Sequence, residues 1–217
     1  MEAPEETKRL VRRLIGEGRE ITAQRRITNN PGSLFQLLYR ALLSRSQPDR
    51  QRVAHTARAL DEQGWGIPSE LARAPFEQRF RVLRDASHRR DARELAAVLG
   101  DLALMIVQRY RGDLRRLRSA ARQDPQVERR LLAELPGIDD KVVDVFFRDV
   151  QVVWRELAPF ADRPALTAGR RLGLGGTAEG LAALAGSPAS ERFFWLVTAL
   201  SCIDQDRRYA DYAAVAA

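Results

Sequence analysis

Apolar residues recur at helical spacing along almost the whole 217-residue chain, and no stretch sustains the alternation of a strand. An amphipathic helix must lay its apolar stripe against other helices, so this single period confines the chain to an all-α fold. Ser33 stands before Leu34, Leu37, Leu38, Ala41 and Leu42, which share a helix face ending near Ser44. Pro48 reads as the opening of a second helix with Val53, Ala57 and Leu60, stopped by Gly64. Trp65-Gly66-Ile67-Pro68 reads as a turn in which Trp65 packs, and shorter helices follow over 69–73 and 75–85. A long helix is expected from Asp91 to Arg111, with Leu95, Val98, Leu99, Leu102, Met105 and Ile106 buried. Asp113 and Asp124-Pro125 open two more helices, Thr177 caps another after the glycine-rich loop 173–176, and Ser187-Pro188 opens a late apolar one.

Charge narrows the partners. Lys and Arg total 36 against 29 acids, for a net charge of +7 and a pI near 10.4, which favours a polyanion, nucleic acid first and an anionic membrane second. No apolar run approaches membrane-spanning length, and the charged N-terminal stretch has no signal core. The single cysteine, Cys202, excludes an internal disulfide and a cysteine-built zinc or iron–sulfur site, and His55 and His88 are read as surface residues far apart in sequence. These observations describe a soluble cytoplasmic protein with no membrane role.

Lysine occurs only at positions 8 and 141, so nearly all the positive charge is arginine. A guanidinium keeps its proton in a protein, whereas an ε-amine can lose one and become a nucleophile. Lys141 closes the run Leu135-Pro136-Gly137-Ile138-Asp139-Asp140-Lys141, between helical segments expected over Pro125–Glu134 and Asp140–Leu157. A proline that fixes φ, followed by a glycine that permits positive φ, makes a tight hairpin there. Its outward amides, continued by the next helix's N-terminus, suit a DNA phosphate. A helix N-terminus disfavours an ammonium, while Asp139 and Asp140 favour one.

Leu-Pro-Gly-Ile-Asp-Asp-Lys resembles the hairpin of the helix-hairpin-helix DNA glycosylase superfamily, in particular its endonuclease III branch. Two further segments carry the resemblance. Ala161-Asp162-Arg163-Pro164 followed by Arg170-Arg171-Leu172-Gly173-Leu174 resembles the family's aspartate segment, and Leu42-Leu43-Ser44-Arg45-Ser46-Gln47 resembles its wedge turn; together the matches span about 33–205. The resemblance implies that such an enzyme flips a nucleotide out of duplex DNA. Lys141 would attack the sugar carbon, expel the base and form a Schiff base that allows strand cleavage. Asp162 would stabilise positive charge on the sugar and help orient or deprotonate the amine. Leu135, Pro136, Gly137, Ile138 and Asp139 would hold the DNA backbone, and the turn of Arg45, Ser46 and Gln47 would fill the gap left by the flipped nucleotide. The family's hairpin often holds an alkali ion on backbone carbonyls, which map to Ala133, Leu135 and Ile138. One cysteine cannot supply the four thiolates of the iron–sulfur members, so a cluster-free member is implied, needing no cofactor. Two departures stand out: Asp139 replaces the usual glycine and brings a negative charge to the phosphate site, and Arg163-Pro164 replaces Thr-His after the aspartate.

The expected architecture is two-lobed. A six-helix lobe over 33–146 would end in the hairpin, and 1–32 with 147–217 would form a discontinuous second lobe, with Lys141 and Asp162 facing each other across a cleft. The expected function is a DNA glycosylase with abasic-site lyase activity, acting as a monomer on duplex DNA with damaged bases or abasic sites. A non-catalytic DNA-binding protein on the same scaffold is the alternative, and a helical protein-interaction module a third reading. No residue names the damaged base.

Overall fold

A computed structural model describes residues 4–23, 27–46, 49–86, 91–188 and 190–215. Among them are twelve α-helices and two 3-10 segments, with no strand. The chain divides into two compact units, Thr28–Phe146 and a second made of Met1–Ile27 with Phe147–Ala217.

The central unit holds α2 (Pro31–Ser46), α3 (Arg50–Glu62), α4 (Pro68–Arg73), α5 (Phe76–Asp85), α6 (Ala92–Tyr110), α7 (Leu114–Ala120), α8 (Pro125–Ala133) and the start of α9 (Asp140–Val150). It therefore has seven complete helices. It begins at Thr28 rather than Ser33, because residues 28–30 are tied into α2: the Thr28 amide donates to Ser33 Oγ at 3.1 Å and the Ser33 amide to Asn30 Oδ1 at 2.8 Å. Asn30, not Ser33, thus caps α2. Asp49 caps α3 by accepting from the Gln51 and Arg52 amides, so that helix starts at Arg50; Pro48 lies outside the described residues. The α6 stripe buries Leu95, Leu99, Leu102 and Ile106, whereas Val98 and Met105 are half-buried. Helices α4 and α5 pack along α6, and Trp65 is buried at 4% exposure. His55 is exposed on α3, and His88 lies outside the described residues.

The other unit is built around α12 (Glu191–Asp206), flanked by α1 (Glu5–Thr22) and α10 (Arg163–Arg171), with α11 (Ala178–Ala185) and the 3-10 segments Arg155–Leu157 and Arg208–Val215. The charged N-terminal stretch, read above only for its lack of a signal core, supplies α1 and buries Leu10, Val11, Leu14 and Ile15 against Phe193, Leu196, Val197 and Leu200. A Cβ on Gly18 would lie 1.9 Å from the Trp195 carbonyl oxygen. Only a glycine lets the two backbones approach that closely. Ser190 caps α12, in place of the expected Ser187-Pro188, by accepting from the Phe193 amide at 3.2 Å. Helix α9 ends at Val150, not near Leu157, where the chain turns before the 3-10 segment. No helix among the described residues is long and apolar enough to cross a membrane.

Candidate active site

The hairpin forms where the sequence places it. Asp124 caps α8 by accepting from the Gln126 and Val127 amides, with Pro125 at the first turn. After Ala133 the chain turns through Leu135 and Ile138, both buried, with the Ile138 amide donating to the Leu135 carbonyl at 3.1 Å. That carbonyl keeps a second lone pair, as an alkali ion held by Ala133, Leu135 and Ile138 would need. Gly137 takes φ +75°, and a Cβ there would lie 2.4 Å from Val98 Cγ1 and 3.2 Å from a Leu42 methyl. Both the backbone angle and the space demand glycine.

Asp139 behaves differently from the expectation. It keeps negative φ and acts as the N-cap of α9. Its Oδ1 accepts from the Val142 amide at 2.9 Å and its carbonyl from the Val143 amide at 2.9 Å. The position open to a phosphate at this helix start is thus partly filled by the protein's own carboxylate. Arg45, on the last turn of α2, compensates with NH1 3.7 Å from Asp139 Oδ2. The wedge-turn segment and the hairpin therefore meet at Arg45–Asp139 and at Leu42–Gly137. Nothing is described of the Ser46 side chain, and Gln47 lies outside the described residues.

Lys141 lies in the first turn of α9 and is exposed, while Val142, Val143 and Phe146 are buried. Arg129 of α8 reaches across to this helix, 3.4 Å from Asp140 and 2.6 Å from Asp144. Each acid of the first turns of α9 thus has an arginine beside it.

Asp162 is 2% exposed and both of its oxygens are engaged. As N-cap of α10, its Oδ1 accepts from the Ala165 amide at 3.1 Å; its Oδ2 accepts from Arg148 NH1 at 2.7 Å and from Ser201 Oγ at 3.0 Å. Burial pushes this carboxyl above the usual carboxylate range, against the pull of the Arg148 guanidinium, the Ser201 hydroxyl and the Ala165 amide. Arg148, itself buried, also donates from Nε to Asp149 at 3.0 Å. Gln151 fixes the approach to Asp162 by donating to the Arg148 and Phe160 carbonyls and accepting from the Phe160 amide. Sequence reasoning missed Arg148, Ser201 and Arg129. Arg148 did carry a signal, since it stands two helical turns after Lys141 in the sequence. Cys202 is buried beside Ser201 on α12. Among the described residues no group of three or more His, Cys, Asp or Glu side chains is placed to hold a metal ion.

No family model and no curated protein sequence matches the chain. Two solved structures resemble it along most of its length. One is an endonuclease III–DNA complex trapped as a covalent intermediate, with an estranged adenine, at 18% identity and a TM-score of 0.50, covering 90% of this chain and 84% of that one. The other is a non-covalent endonuclease III–DNA complex at 19% identity, with the same TM-score and coverage. At this identity the likeness speaks for the backbone alone, and it agrees with the helical order and the Leu135–Asp139 hairpin: the chain has an endonuclease III-like helix-hairpin-helix fold.

Proposed function

We propose that this protein binds duplex DNA through the hairpin and acts on damaged nucleotides as a glycosylase and abasic-site lyase, with Lys141 as the amine that joins the sugar. The observation that carries the reading is the exposure of Lys141 in the first turn of α9, directly behind the Leu135–Asp139 hairpin. Both similar structures are endonuclease III complexes with DNA, and one is a covalent intermediate. Asp162 is the carboxylate proposed to act on the sugar during base loss. An amine attacks an electrophilic carbon with its lone pair, and an imine to the opened sugar follows.

Borohydride reduces such an imine to a stable amine and fixes the protein to the DNA. Wild-type protein should be trapped on a duplex with one abasic site, and Lys141→Ala and Lys141→Arg should not, since a guanidinium stays protonated. Equal trapping of wild type and Lys141→Ala would remove Lys141 from the chemistry. The occupied state of Asp162 favours one second reading, a DNA-binding protein without catalysis. Salt-sensitive duplex binding with neither trapping nor excision would select it.

A further inference from the structure

Loss of a base from a nucleotide leaves positive charge on the sugar, and a carboxylate lowers that barrier only if its charge is not already neutralised. The acids around the candidate site all carry arginine. Asp139 lies 3.7 Å from Arg45, Asp140 is 3.4 Å and Asp144 2.6 Å from Arg129. Asp162 is 2.7 Å from Arg148, 2% exposed, with its other oxygen spent on the Ala165 amide. Arg148 is in turn held by Asp149, and Ser201 by Gln205 at 3.4 Å, so the pair sits in a closed polar network. Lys141, in contrast, is exposed.

We infer that the substrate of this protein is the abasic sugar itself, the ring-opened deoxyribose aldehyde in duplex DNA, rather than a nucleotide that still bears its base. The inference rests on the Lys141 reading above and narrows its substrate. Joining an amine to an aldehyde needs no carboxylate at the sugar. The neutral Lys141 amine adds its lone pair to C1′, and the aldehyde oxygen leaves as water with the two amine protons, giving an imine that takes up a proton from water. A water then removes a proton from C2′. The freed electron pair forms the C2′–C3′ double bond, and the C3′–O bond breaks with its pair going to the departing phosphate. No oxidant or reductant enters.

The experiment compares one duplex sequence in two forms, with an abasic site or with an intact uracil or oxidised base at the same position. Each is incubated with the full-length protein and cyanoborohydride under single-turnover conditions. The abasic duplex should be trapped at least about 10²-fold faster than any base-containing one, the scale of one well-placed acid–base group. Lys141→Ala should lose the abasic product. Trapping of a base-containing duplex within about ten-fold of the abasic rate would overturn the narrowed substrate while leaving Lys141 in place. Absence of trapping on the abasic duplex, or equal trapping by Lys141→Ala, would overturn both.

Discussion

Asp139 shows how one side chain can change sign in its consequences once its partners are known. Read as a glycine replacement it is a repulsive charge at a phosphate site; in the fold it caps α9 through the Val142 amide and pairs with Arg45. Asp139→Ala should therefore cost about 1 kcal/mol of stability, Asp139→Gly only a few tenths, and Asp139→Asn almost nothing, as urea unfolding would register. DNA affinity should move the other way: Asp139→Asn removes the charge, keeps the cap and frees Arg45, so binding should tighten, and more at low salt than at high. A looser complex for Asp139→Asn would mean that the carboxylate, through Arg45, helps to shape the DNA-binding surface. Leu135 to Lys141 was legible at this scale because the turn is made by consecutive residues. The Asp162–Arg148–Ser201 cluster was not, since Ser201 lies on α12 and Arg148 on α9, and only the folded chain joins them.

At the scale of elements, caps decide where the helices begin. Asp113, Asp124 and Thr177 each accept from amides of the first turn that follows, and each was readable because the cap and its amides are two or three residues apart. Where several capping residues stand close together, as at Asn29, Asn30 and Ser33 or at Ser187 and Ser190, tertiary packing chose among them, and the sequence reading missed by a few positions. The Asp113 cap has a pH signature. Its bond to the Arg115 side chain holds its carboxyl below the ordinary carboxylate range, so its stabilisation is complete above the unfolded pKa, near 4, and is lost as pH falls through the lower folded value. Asp113→Ala should cost about 1 kcal/mol at neutral pH. Denaturant midpoints of wild type and variant should converge below about pH 3; a constant gap down to that pH would show that the charge of Asp113 does not matter. Asp162 works in the opposite sense. Burial raises its carboxyl, so its contribution is complete below the unfolded value and fades as pH rises through the folded one.

For the whole molecule, the second unit depends on the contact of α1 with α12. Gly18→Ala would put a methyl group into the Trp195 backbone, and the helices would have to part; a loss of about 3 kcal/mol or more is expected in thermal or urea unfolding. An unchanged melting curve would mean that α1 is not seated there. The all-helical class was legible from periodicity alone, whereas the burial of α1 was not, because its partners lie near the other end of the chain. That separation has a consequence for synthesis. Gly18 meets a residue made about 180 positions later, roughly 10–40 s of translation at the usual rate. The central unit can collapse as soon as its own residues have emerged, but Leu10, Val11, Leu14 and Ile15 stay uncovered until α12 leaves the ribosome. During that interval the nascent N-terminus is a sticky amphipathic helix, the segment on which a holding chaperone would be expected to close.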